Sequence, residues 1–155
     1  MSLCQLFVDL DSHADQRVTV RAAYRYGREV SGLYSEACSP PTKLDGVESV
    51  PHVYAVFSAK TMSSEPSNSI RERFNQALEE SQTKPVSVVI TVTGFLKTQS
   101  QAAPLVGKDG RAYKARMFGH LGAFPAEMTV ESIDAVEVMS NSAAPANFAL
   151  EAPKR

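Results

Sequence analysis

From Arg17 to Gly27 the chain alternates. Val18, Val20, Ala22, Tyr24 and Tyr26 fall on one side of an extended backbone, and Arg17, Thr19, Arg21, Ala23 and Arg25 on the other. This pattern predicts a half-buried strand. Gly27-Arg28 reads as a turn and Glu29 to Ser35 as the returning strand, with a kink or bulge at Gly32. His52 to Ser58 sets Val53, Ala55 and Phe57 against Tyr54 and Val56, so both faces are apolar and a central or covered strand is expected. Pro85 to Thr98 carries Val86, Val88, Ile90, Val92 and Leu96 in one phase, and Gly94 in that phase marks where a long strand would bend. Met128 to Met139 reads as a last strand pair. Its phase slips at Ile133, which predicts a bulge or corner near Glu131-Ser132.

Two segments change period. Leu3, Leu6, Phe7 and Leu10 follow helical spacing, with Ser2 and Gln5 in capping-box positions. Ile70, Phe74, Ala77 and Leu78 line one face of a second, amphipathic helix of about four turns, with Ser69 and Glu72 at capping-box spacing. The remainder reads as connection: Cys38 and Pro40-Pro41 after the first hairpin, a loop from Thr42 to Pro51, a Ser-rich linker from Thr61 to Asn68, and a long polar loop from Gln99 to Lys114 with an Asp109-Gly110 turn. In Met117 to Pro125, Gly119 and Gly122 stand among apolar residues and suggest close backbone approach.

The resulting order is helix, three strands, helix, strand, glycine-rich segment, strand. It predicts a mainly β domain with helices (α+β): an OB-like five-stranded barrel over residues 1–140, one helix between its third and fourth strands, and a loose tail over 141–155.

Composition narrows the function more than the fold. The chain has 155 residues, 43% hydrophobic and 21% charged, with a formal net charge of -1. Nothing in that balance draws the whole molecule toward nucleic acid or an anionic membrane. No apolar run approaches the roughly 18 residues needed to span a bilayer. Met1-Ser2-Leu3-Cys4-Gln5 shows no basic region followed by an apolar one, which fits a cytoplasmic protein or a mature domain lacking its leader. The cysteines are Cys4 and Cys38. They fit two buried thiols, or one disulfide tying the N-terminal segment to the end of the first hairpin.

Several stretches carry a family resemblance. Ser2-Leu3-Cys4, Val18-Thr19-Val20-Arg21, Gly32-Leu33-Tyr34 and Cys38 form one set. Val92-Thr93-Gly94 and the run from Phe118-Gly119-His120-Leu121-Gly122-Ala123-Phe124-Pro125 to Val130 form the other. Together they resemble exported or lipid-anchored bacterial proteins with a small OB-like barrel and no assigned activity. The resemblance covers most of Leu3 to Val138, and its specific part is the Phe-Gly-His-Leu-Gly-Ala segment. It implies that Cys4 and Cys38 are paired and that the protein acts outside the cytoplasm. The chain departs from the pattern in an expanded helical segment, Pro66 to Gln82, and a longer loop, Gln99 to Arg116.

No catalytic or metal constellation stands out. His13, His52 and His120 are far apart and lack HExxH or CxxC companions. His120, between Gly119 and Leu121, is the histidine to watch: a base or ligand beside a glycine-shaped pocket, or a structural imidazole where two backbones approach. Structure is favoured over chemistry because no orienting partner is visible. GxSxG and Walker signatures are absent, and Gly107-Lys108-Asp109-Gly110 reads as a turn. No cofactor is expected. OB barrels do bind single strands and oligosaccharides. Arg21 and Arg25 on one strand face, with Tyr54 and the other tyrosines as stacking surfaces, make that a competing expectation. Three features weigh against nucleic acid: Tyr24 and Tyr26 fall opposite the arginines, the chain has no tryptophan, and acids slightly outnumber bases. The leading expectation is a non-catalytic exported accessory or binding module meeting a protein or cell-envelope component. Its candidate contacts are Arg21, Arg25, Tyr54 and His120. The alternatives are an OB-type nucleic-acid or oligosaccharide binder and a hydrolase using His120.

Overall fold

A computed structural model of the chain describes residues 1–28, 30–35, 38, 41, 43–44, 47–48, 50–59, 61, 68–99, 105–113, 118–119 and 124–141. Helix α1 spans Leu3–Val8, followed by a 3-10 turn at Leu10–His13. Strand β1 spans Arg17–Tyr26, β2 Ser31–Tyr34, β3 Lys43–Leu44, β4 Val47–Glu48 and β5 His52–Phe57. Helix α2 spans Asn68–Thr83, and then come β6 Val86–Thr98, β7 Leu105–Val106, β8 Ala112–Tyr113 and β9 Ala126–Ser140.

Five strands close a barrel in the order β1-β2-β5-β9-β6, with β6 returning to β1. Every seam is antiparallel except β5 with β9. Numbered along the chain, the barrel strands run 1-2-3-5-4, with the third and fifth parallel and a helix between the third and fourth. That is the OB arrangement expected from the order of elements.

Alternation does the sorting. Val18, Val20, Ala22 and Tyr24 of β1, Leu33 of β2, Val53 and Ala55 of β5, Val88, Ile90, Val92 and Leu96 of β6, and Met128, Val130 and Val136 of β9 share one core. Each Val, Leu, Ile or Met side chain among them contributes about 1.5–3 kcal/mol by leaving water. Tyr26 keeps the inward phase but is 68% exposed, because it stands at the end of β1, beyond the last residue of that strand paired with β6.

Both helices feed this core. The α1 capping box forms as its spacing predicts: Ser2 Oγ accepts from the Gln5 amide at 3.2 Å, and Gln5 Oε1 accepts from the Ser2 amide at 2.8 Å. Leu3, Leu6 and Phe7 are then buried. The first residues also extend the sheet: Arg21 donates its amide to the Met1 carbonyl at 3.0 Å, and the Met1 ammonium donates to the Thr19 carbonyl at 2.9 Å. Helix α2 sets Phe74 and Ala77 inward, with Ile70 and Leu78 partly buried beside them. The Phe74 ring meets Tyr24 at 5.3 Å and Phe57 at 5.9 Å, at the end of the barrel where β1 and β5 finish. Ser69 lies inside α2, which begins at Asn68, so the capping role given to Ser69 does not hold.

Curvature comes from β6 against β9. Thr91 faces Ala135, Val92 faces Ile133, Thr93 faces Ser132 and Gly94 faces Val130, so Asp134 and Glu131 are each skipped. These two bulges explain the phase slip in the sequence, and β9 is one bent 15-residue strand rather than a strand pair. At Gly94 the strands approach so closely that a Cβ would meet the Thr129 carbonyl oxygen and the Val130 Cα.

Three other boundaries differ from the pattern. The returning strand begins at Ser31, after a tight turn in which Gly27 donates to the Val30 carbonyl at 2.8 Å. The Thr42 to Pro51 connection contains the β3–β4 pairing, and the Gln99 to Lys114 connection contains β7–β8. The expected turn at Gly107 to Gly110 is present, closed by a 3.0 Å bond from the Gly110 amide to the Gly107 carbonyl. Residues 142–155, which hold nearly all of the expected tail, lie outside the described residues. No helix among the described residues is long and apolar enough to cross a membrane.

Candidate functional site

The inward residues of β2 and β5 leave Gly32, Tyr34, His52 and Tyr54 on the outer face of the barrel. Register places them in two rows. Arg25 of β1 faces Gly32, Gly32 faces Tyr54, and Tyr54 faces Glu127 of β9. In the next row Ala23 faces Tyr34 and Tyr34 faces His52. Second and third strands of an OB barrel supply its usual ligand surface.

Gly32 leaves a gap at the centre of this face, and the Phe124 ring fills it. A Cβ on Gly32 would lie 2.9 Å from the Phe124 ring and 2.8 Å from the Tyr34 ring. Phe124 is 3% exposed and has ring neighbours His52 at 5.3 Å, Tyr54 at 5.4 Å and Tyr34 at 6.1 Å. Two backbone bonds hold it: the Phe118 amide to the Phe124 carbonyl at 2.8 Å, and the Phe124 amide to the Phe118 carbonyl at 3.0 Å. Gly119 has a φ of 75°, and a Cβ there would stand 2.6 Å from the Phe124 ring. Left-handed backbone and lack of space together require glycine at this position.

The polar groups at the rim are oriented. The Arg25 guanidinium lies over the Tyr34 ring, 5.0 Å from its centroid, within cation–π range. Burial pushes the Tyr34 phenol above its ordinary pKa, and the Arg25 charge pulls it partly back. The His52 ring is nearly parallel to Tyr34, at 12°. Its Nδ1 is 2.7 Å from the Val50 carbonyl; a carbonyl only accepts, so the proton sits on Nδ1. The result is a ring-rich surface edged by a cation and an imidazole, suited to stacking and hydrogen bonding.

Arg21 is also outward-facing but points elsewhere. Its Nε and Nη2 donate to both Glu137 oxygens, at 3.1 and 2.9 Å, across β6. That bond holds the Glu137 carboxyl below its ordinary pKa, and the same partner raises Arg21. Arg17 repeats the pattern with Glu131 at 2.7 Å. Between these pairs the Thr93 hydroxyl donates to Asp134 at 2.6 Å, which leaves the Thr19 hydroxyl to donate to Thr93 at 2.7 Å. Arg17, Thr19 and Arg21 with their partners on β6 and β9 thus form a self-matched polar belt.

Of the residues singled out from sequence, Arg25 and Tyr54 share one row, Arg21 belongs to the polar belt, and His120 lies outside the described residues. Cys4 and Cys38 are joined by a disulfide with a Cα–Cα separation of 5.6 Å, and the Ser35 hydroxyl lies 3.2 Å from Cys4 Sγ. It fastens α1 to the segment leaving β2. Sequence reasoning gave no role to His52 or Phe124. The available signal was Gly32 lying beside ring residues on neighbouring strands, since a missing side chain on a sheet face invites a ring. Among the described residues no three His, Cys, Asp or Glu side chains gather to hold a metal.

Comparison of this chain with protein-family models, curated proteins and solved structures returns no match in any of the three.

Proposed function

We propose that this protein is a non-catalytic binding module of an exported bacterial type, which meets a protein or cell-envelope component through the outer face of β1, β2 and β5. The observation that carries the reading is the gathering of Arg25, Tyr34, His52 and Tyr54 on the face that OB barrels use for ligands. The Cys4–Cys38 disulfide supports the compartment, because such bonds persist in oxidising surroundings and are rare in reducing cytoplasm.

Retention on isolated cell envelopes of the source organism tests the binding half. Wild-type protein should sediment with the envelope fraction, and an Arg25→Ala/Tyr54→Ala double variant should remain in solution. Equal sedimentation, or none for either protein, refutes the reading. Thiol labelling with a membrane-impermeant maleimide tests the compartment. Labelling of intact cells only after an impermeant reductant is the expected result, and free thiols in untreated cells count against export.

The second reading, a single-stranded nucleic acid or an oligosaccharide on the same face, draws on the Arg25–Tyr34 stack. Arg25 stands over the Tyr34 ring, so it is the residue to vary. Nucleic-acid binding that weakens steeply with salt and falls in Arg25→Glu would favour this reading. Salt-insensitive oligosaccharide binding lost in Tyr54→Ala would favour the sugar form.

A further inference from the structure

The connection from β6 to β9 differs from the rest of the chain in two ways. Its strands β7 and β8 pair with each other and form a sheet separate from the barrel. A lone two-stranded hairpin is marginally stable in water, because it has no second layer on which to bury a face. Its charge is also reversed. Gln99 to Arg116 holds Lys108, Arg111, Lys114 and Arg116 against the single acid Asp109, a net +3 in a chain of net -1. The other residues together therefore carry -4. At the base of the connection Lys97 faces Glu127 across the β6–β9 seam, so the excess lies within the connection itself.

The hairpin sets an apolar residue beside this charge. Val106 ends β7 and is 69% exposed, and Lys108 and Arg111 are exposed with it. The turn between the strands is closed by the Gly107 amide on the Arg111 carbonyl at 2.9 Å. Asp109 serves that turn, since its Oδ1 accepts from the Arg111 amide at 3.1 Å. Its ion pair with Arg111 spans 3.9 Å between exposed groups, which makes it weak. In sequence, the apolar run Ala102-Ala103-Pro104-Leu105-Val106 precedes the turn, and the basic residues lie in and after it. An apolar half and a cationic half in one exposed hairpin fit the boundary between lipid headgroups and acyl chains.

We propose that the β7–β8 hairpin docks the protein on an anionic lipid surface, with Val106 entering the headgroup layer and Lys108 and Arg111 meeting its phosphates. This does not rest on the outer face of β1, β2 and β5, and it adds a second contact to that one. Charges are felt across about 10 Å at 0.1 M salt. A flat surface touching the hairpin therefore responds to its +3 more than to the -4 spread over the remaining chain. A single strand of nucleic acid would gain no stacking from Val106, whereas a bilayer gains the burial of its methyl groups.

Co-sedimentation with vesicles tests this. One arm uses phosphatidylcholine mixed with an equal part of phosphatidylglycerol, and the other uses pure phosphatidylcholine. Wild type should bind the mixed vesicles and ignore the neutral ones, and binding should fall as salt rises. Lys108→Gln/Arg111→Gln should weaken binding about 25-fold, at about fivefold per charge removed. Val106→Ser should weaken it about tenfold and leave the salt dependence in place. Lys108→Arg/Arg111→Lys keeps the charge and should bind as wild type does. All three positions are exposed, so the urea midpoint of each variant should match that of wild type. Equal binding to both kinds of vesicle, binding to neither, or mixed-vesicle binding unchanged in the glutamine and serine variants overturns the proposal. So does capture of a single-stranded oligonucleotide that the glutamine variant loses while vesicles stay unbound, which would make the hairpin a nucleic-acid contact.

Discussion

Removing the Cys4–Cys38 bond should lower stability mainly by enlarging the unfolded ensemble. The two residues are 34 apart in sequence. In the chain-entropy model, closing a loop of that length removes about 12–13 cal/mol/K from the unfolded chain, or about 4 kcal/mol at room temperature. Folded-state losses are small by comparison, because Leu3, Leu6 and Phe7 still bury the inner face of α1 without the bond. For a domain of this size, about 2–4 °C of melting temperature is lost per kcal/mol, so the shift is about 8–15 °C. The assay is urea unfolding of wild type against Cys4→Ala/Cys38→Ala, under non-reducing conditions. The midpoint should fall while the slope rises, since an uncrosslinked chain exposes more surface on unfolding. Wild type treated with a strong reductant should move to the variant's curve. A loss below about 1 kcal/mol with unchanged slope refutes the argument, and would mean that the bond holds two segments already fixed in the unfolded chain.

Three further outcomes follow from particular contacts. Gly94→Ala places a methyl group against backbone atoms of Thr129 and Val130, which cannot rotate away; denaturant unfolding should show a loss of about 1–3 kcal/mol or more, and a neutral result would contradict the close approach of β6 and β9. Phe74→Ala empties the space between Tyr24 and Phe57 and should cost about 3–5 kcal/mol in the same assay, whereas a surface helix would lose almost nothing. Glu137→Gln tests the Arg21 pair by pH: the folded-state pKa of Glu137 is depressed, so its contribution is present above the unfolded carboxylate value and lost as pH falls through the folded value. The variant should therefore be less stable than wild type near neutrality, and their melting curves should converge in acid; a gap unchanged down to low pH would remove the pair as its cause.

The barrel was readable in the chain because the inward phase of β1 and β6 is filled by Val18, Val20, Ala22, Val88, Ile90, Val92 and Leu96. The bulge near Glu131 was readable for the same reason, as a break in an otherwise regular phase. Tyr26 was misplaced because periodicity tells which side a residue takes and not how far the neighbouring strand extends. The short pairings β3–β4 and β7–β8 escaped notice, since two residues carry no measurable period. Of the candidate site, Arg25 and Tyr54 were visible as types on strands. Their shared row, and the meeting of Tyr34, His52 and Phe124, depend on register between segments distant in the chain. No local pattern encodes that. Arg21 was assigned to binding because strand phase shows exposure and cannot show that Glu137 already holds the guanidinium.

The parallel seam between β5 and β9 also sets the order in which the molecule can be completed. Tyr54 must find Glu127, and the same strand must zip along β6 from Thr98 back to Val86. Contacts between such remote segments are slow to form, because a long stretch of chain must first be brought together. While β9 is still being synthesised, β5 and β6 each lack a neighbour and the wall stays open. The barrel wall of this topology therefore stays open until β9 has emerged and found both β5 and β6.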